Sequence, residues 1–85
     1  MRYELELRNV PRNRVMEYLV EAGGADDGEL AVRGDGWRAW LEKLEPVQII
    51  TMTVRRDMLI IEGDDDKQVD EVHNFMRRKT MRGGG

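Results

Sequence analysis

Three features of the sequence predict an α+β fold in which one antiparallel sheet of about five strands carries two helices on the same face. Tyr3, Leu5 and Leu7 alternate strictly with Arg2, Glu4, Glu6 and Arg8, the period of two that gives a strand one buried and one wetted side. Apolar residues recur at helical spacing in two separate stretches, one after Pro11 and one after Asp64-Asp65-Asp66. Between them lie runs rich in β-branched residues, punctuated by glycine turns. A sheet with one apolar face needs helices to cover it.

In order, the first strand ends before Pro11, which suits the first turn of a helix, and Val15, Tyr18, Leu19 and Ala22 then form a helical stripe. Gly23-Gly24 closes this helix, one of the pair suiting a left-handed cap. Asp26-Asp27-Gly28 makes a return turn, and Leu30 and Val32 alternate with Ala31 and Arg33 as a short strand leading to the hairpin signal Gly34-Asp35-Gly36. The next stretch is two-sided. Trp37, Trp40, Leu41 and Leu44 fall on one helical face, so periodicity favours a helix, whereas a strand needs a bulge near Trp40 to gather Trp37, Ala39 and Leu44. Val47 to Val54 and Met58 to Glu62 are expected to pair as a hairpin across the polar turn Arg55-Arg56-Asp57. Gly63 and the aspartates start a last helix with a stripe of Val69, Val72, Met76 and Thr80. The expected order is β-α-β-β-β-β-α.

With 85 residues and 40% hydrophobic content, the chain can build one small core. Residues 1–82 are expected as a single domain and 83–85 as a flexible glycine tail. The absence of cysteine excludes disulfides, thiol nucleophiles and thiolate metal sites. Charged residues interrupt the N-terminus and no apolar run approaches a membrane span, so a soluble, cytoplasmic protein is expected with no membrane partner. A net charge of −3 argues against a nucleic-acid partner, which requires surplus Lys and Arg to displace counterions.

Candidate chemistry is sparse, and no enzyme, cofactor or metal is expected. His73 is the single histidine and lies beside the Val69, Val72 and Met76 stripe, where an imidazole at the core edge explains it better than a general base. There is no serine, and Thr51 and Thr53 read as strand formers. Asp64 to Asp66 lack the alternating ligands and distal Glu of a calcium loop and read as a solvated helix start. The glycine pairs lack phosphate-loop spacing. The aspartates before the last helix and Arg77, Arg78, Lys79 and Arg82 at its end complement the helix dipole. Trp37 and Trp40 form a partner-binding platform if both lie on the same exposed face, while core packing accounts for at least one of them. Candidate partner-binding residues are therefore Trp37, Trp40, Arg77, Arg78, Arg82 and the terminal Gly83, Gly84 and Gly85. Sulfur-carrier and ubiquitin-like proteins react through a C-terminal glycine carboxylate, for which only residues lacking Cβ thread a narrow channel. A terminal glycine run is more commonly a disordered end. The β-grasp fold of those carriers also opens with a hairpin, whereas here a helix follows the first strand directly.

The segment Tyr18-Leu19-Val20-Glu21-Ala22-Gly23-Gly24, the Leu44-Glu45-Pro46 break, the strand end Leu59-Ile60-Ile61-Glu62-Gly63 and the closing Arg82-Gly83-Gly84-Gly85 together resemble the C-terminal domain of MoaD-related proteins. These are bacterial relatives of the small, sulfur-carrying subunit of molybdopterin synthase. The resemblance implies a TATA-binding-protein-like fold with the element order given above, and it implies a strand, with its bulge, for Trp37 to Glu45. It implies that carrier chemistry belongs to an upstream β-grasp domain, which this chain is expected to lack. For function it implies a non-catalytic accessory or interaction domain of molybdenum-cofactor synthesis, with a protein partner such as a molybdopterin synthase component, or a homodimer paired through sheet edges. The alternative is a ligand- or nucleic-acid-binding module using the open sheet face. Glu4 and Glu6 beside Arg2 and Arg8 count against that alternative, because a DNA saddle needs a basic face.

Overall fold

The computed structural model describes residues 1–81, so Arg82 and the glycines Gly83, Gly84 and Gly85 lie outside the described residues. The elements are β1 (Arg2–Arg8), α1 (Arg12–Glu21), β2 (Ala25–Asp26), β3 (Ala31–Gly34), β4 (Trp37–Ile49), β5 (Met52–Glu62) and α2 (Asp66–Met81). The strands form one open antiparallel sheet in the order β1-β5-β4-β3-β2. The fold is α+β, with the expected element order.

Strand pairing determines which side chains share a face. Tyr3, Leu5 and Leu7 stand opposite Ile61, Leu59 and Asp57, Ile61 and Leu59 stand opposite Ala39 and Leu41, and Val32 lies beyond Ala39. On this face Val15 and Leu19 of α1 and Val69, Val72 and Met76 of α2 pack into one core with Trp37, so both helices cover the same side. Leu19, Val32, Ala39, Leu59, Ile61, Val69 and Met76 are fully enclosed, each of these side chains other than that of Ala39 contributing about 1.5–3 kcal/mol through lost contact with water. Among the described residues no helix is long and apolar enough to cross a membrane.

The helix boundaries follow local chemistry. Pro11 precedes α1, and Gly23, at φ 113°, takes the left-handed position after it that a side chain would strain. Asp65 starts α2, its Oδ1 accepting the Gln68 amide at 3.2 Å. Gly63 admits the close approach of Gly36 and Trp37, whose backbone atoms occupy the space a Cβ would need.

Between the helices the structure corrects the expected strand limits. Ala25–Asp26 forms a short edge strand that was not expected, and Leu30, expected in a strand, is a left-handed loop residue at φ 57°. Trp37 to Leu44 is a strand despite its helical period, because Trp37, Ala39 and Leu41 alternate into the core and β4 is paired on both sides. The bulge lies not near Trp40 but between Leu44 and Val47, at Glu45-Pro46. The hairpin reverses at Ile50-Thr51, and Arg55, Arg56 and Asp57 run through the middle of β5 instead of turning. Their charges are satisfied laterally: Asp57 binds Arg12, Arg56 donates to the Glu45 carbonyl at 2.8 Å, and Arg55 donates to the Val10 carbonyl at 2.8 Å. A polar triplet with such partners has no need of a turn.

Candidate interaction face

β1, β4 and β5 present their second set of side chains on the face that the helices leave open. Arg2, Glu4, Glu6 and Arg8 of β1 lie beside Glu62, Ile60, Met58 and Arg56 of β5, and these lie beside Arg38, Trp40, Glu42 and Leu44 of β4. The charges alternate along and across the strands. Arg2 pairs with Glu4 at 3.0 Å and approaches Glu62 at 3.9 Å, Arg38 pairs with Glu62 at 3.0 Å, Arg8 with Glu6 at 2.7 Å, and Arg56 reaches Glu6 at 3.6 Å. The hydrogen bond from Arg8, reinforced by the charges of Arg8 and Arg56, holds the Glu6 carboxyl below its ordinary value. Exposed pairs of this kind each add at most about 1 kcal/mol. Their effect here is to set side-chain orientation.

At the centre of this lattice stands Trp40. Two guanidinium groups approach its ring, Arg38 at 5.1 Å and Arg2 at 5.9 Å from the ring centroid, and its Nε1 donates to Glu42 at 3.2 Å. Ile60, directly opposite on β5, is buried to 1% although it belongs to the open face. The indole is therefore a half-buried aromatic held by two cations and one carboxylate.

The remaining candidates are distributed elsewhere. Trp37 is 4% exposed and packs on Gly34 in the core, on the opposite side of the sheet from Trp40, so the two tryptophans do not form one platform. Arg77 and Arg78 are exposed on α2 and therefore on the helix side of the molecule. Arg78 lines a cavity of about 350 Å³ with Phe75, Lys79 and Met81. Lys79 ties the helices together, its Nζ sitting 5.6 Å from the Tyr18 ring and 5.4 Å from the Phe75 ring and 3.2 Å from Glu21. Arg82, Gly83, Gly84 and Gly85 are outside the described residues.

His73 stacks flat on Tyr3, with ring centroids 3.7 Å apart and planes 4° apart, while the Tyr3 hydroxyl donates to Asp70 at 2.7 Å. The bond to Asp70 raises the Tyr3 phenol, and partial burial, aided by the charge of Arg77, lowers the His73 imidazole. This arrangement joins β1 to α2. Among the described residues no three His, Asp or Glu side chains converge as a metal ion would require.

Sequence reasoning missed Arg38 and Glu62 beside Trp40, and it missed the Arg12–Asp57 pair. The alternation of β1 already pointed Arg2 outward. What it lacked was the register, which brings Arg2 and Arg38 to the same residue, Glu62.

Compared with known proteins, residues 3–85 match the family model described as archaeal MoaD-like protein. No curated protein matches the chain.

Proposed function

The chain belongs to the archaeal MoaD-like protein family, and from that premise we propose that it is a non-catalytic interaction domain of molybdenum-cofactor synthesis that binds a protein, a component of molybdopterin synthase, through its open sheet face. The observation that carries this reading is Trp40 with the guanidinium groups of Arg2 and Arg38 both within 6 Å of its ring. Tryptophan and arginine are the residue types that dominate the energetics of protein interfaces, most strongly where their orientation is set before binding. The surrounding charges favour a protein over a nucleic acid. On this face Arg2, Arg8, Arg38 and Arg56 are matched by Glu4, Glu6, Glu42 and Glu62 and largely paired with them, so few cations remain to neutralise phosphates. The same lattice offers a protein both signs of charge around an aromatic centre.

Titration calorimetry of the full chain against the purified synthase subunits tests this. Trp40→Ala is expected to weaken binding at least tenfold, and Arg78→Ala, on the helix side, to leave it unchanged. An affinity indifferent to Trp40 overturns the choice of face.

The alternative is a carrier acting through the C-terminal glycines Gly83, Gly84 and Gly85. The helix directly after β1 is unlike the hairpin that opens a β-grasp carrier, which favours the interaction domain.

A further inference from the structure

We propose that the cleft at the end of the sheet where the Gly34-Asp35-Gly36 turn meets Gly63 binds the phosphate group of a small molecule between Arg33 of β3 and Arg38 of β4. The proposal does not rest on the synthase reading, since it concerns a small ligand and not a protein.

Strand register brings the two arginines together. Arg33 stands directly opposite Arg38, Arg38 opposite Glu62 and Glu62 opposite Arg2, so one row across β3, β4, β5 and β1 holds three guanidinium groups and a single carboxylate. Like charges directly opposite each other on neighbouring strands work against pairing. The core makes no use of them either: the side chains of Arg33 and Arg38 are 62% and 54% exposed, and a neutral polar residue serves an exposed strand position equally well. Folding gives no reason for the pair, whereas an anion held between them does.

The carboxylates within the chain leave most of the donors unused. Arg33 reaches Asp27 through Nε alone, at 3.1 Å, and Arg38 reaches Glu62 through Nη2 alone, at 3.0 Å. The other N–H groups of both have no protein acceptor among the described residues. A guanidinium carries five donors in a rigid plane, so each arginine can keep its present partner and still offer a fork to a ligand. A carboxylate is planar and is satisfied by one such fork. A phosphate ester carries about two charges on three oxygens and accepts from two sides at once, which is what guanidinium groups on two adjacent strands provide.

The space beside them admits more than a bare ion. Arg2, Arg33, Arg38, Gly36 and Gly63 line a cleft of about 750 Å³, a size typical of small-molecule sites. Glu62 and Asp64 line it as well. They prevent the cleft from being uniformly basic, which suits a single phosphate and not the continuous cationic track that a nucleic acid requires.

NMR titration of the isotope-labelled full chain with sodium phosphate, set against sodium chloride at equal ionic strength, tests the proposal. Saturable shifts are expected for the amides of Arg33, Gly34, Gly36 and Arg38. Arg33→Gln, and independently Arg38→Gln, should weaken binding by at least about tenfold through loss of a charge-assisted contact, while Arg14→Gln, on the helix side, should leave it unchanged. Circular dichroism checks that each variant folds. Shifts that follow ionic strength alone overturn the proposal, as do Arg33→Gln and Arg38→Gln proteins that bind phosphate like the wild type. Sodium acetate binding as tightly as phosphate overturns the choice of ligand and assigns the cleft to a carboxylate.

Discussion

Arg12, the first residue of α1, and Asp57, in the middle of β5, are 45 residues apart and share a forked contact: Nη2 reaches Oδ1 at 2.8 Å while Nε lies 3.1 and 3.2 Å from the two carboxylate oxygens. Asp57 is 3% exposed. Arg55 approaches the same carboxylate at 3.8 Å, and its buried Nε has no hydrogen-bond partner. The pair anchors the start of α1 to the strand beneath it. Removing one member of such a pair leaves a buried charge uncompensated, whereas replacing both with apolar groups need not. Asp57→Ala is expected to lower stability by about 3 kcal/mol, and Arg12→Met with Asp57→Leu to recover most of that loss. Urea midpoints decide it; equal losses in the single and double variants would contradict the charge argument.

Leu19→Ala should cost about 3 kcal/mol, since Leu19 is wholly enclosed between α1 and the sheet and its removal leaves a cavity. Ile60→Ala tests the other side of the sheet. Its cost should grow when Trp40 is present to be undermined, so Ile60→Ala and Trp40→Ala should be non-additive in a double-mutant cycle. Arg78→Ala, at an exposed helix end, should change stability by only a few tenths of a kcal/mol.

Ile50→Gly is expected to stabilise the monomer by about 1 kcal/mol, because glycine enters the left-handed region without the clash a β-branched residue meets there. For a domain of this size that raises Tm by about 4–8 °C. An unchanged or lowered Tm would show that no strain resides at the tip.

His73 makes stability depend on pH. Its folded value lies below the ordinary imidazole value because partial burial, with the charge of Arg77, disfavours the cation. The unfolded chain therefore binds the proton more readily, so stability is full above the ordinary value near 6.5 and falls as pH drops below it. Glu6, held down by Arg8, acts in a separate window below its ordinary 4.5, again with stability falling as pH falls. His73→Gln should flatten the upper window in thermal melts and leave the lower one in place.

For the tail, the intact mass of protein isolated from its native host distinguishes interaction domain from carrier. The unmodified mass is expected. A reproducible thiocarboxylate, one oxygen of the Gly85 carboxyl replaced by sulfur, would establish the carrier reading instead, and removing Gly83, Gly84 and Gly85 should otherwise leave stability and partner binding unchanged.

Both helices and β1 were legible because each has one buried side and one wetted side, which writes its period directly into the sequence. β4 and β5 were harder for a physical reason. Val54, Ile60 and Ile61 are buried on different faces, and the bulge changes the phase within β4, so no single alternation spans either long strand. Arg55-Arg56-Asp57 read as a turn because the partners that allow charge inside a strand, Arg12, Val10, Glu6 and Glu45, all come from elsewhere in the chain. Trp40 was legible as an aromatic of interest. That Trp37 faces the other way follows only from strand geometry, since residues three apart in a strand point to opposite sides while in a helix they share one.

The extra residue at Glu45-Pro46 also has an evolutionary meaning. Had β4 continued in phase, Val47 and Ile49 would extend the face that the helices cover, and any change in the outer hairpin would be constrained by the packing of the domain. With the phase reset, the last turn of the hairpin is insulated from the core. Its residues can drift, lengthen or acquire a new specificity while the body keeps folding as before, and deleting one residue at that point should straighten β4 while leaving Val47 and Ile49 opposite Val54 and Met52.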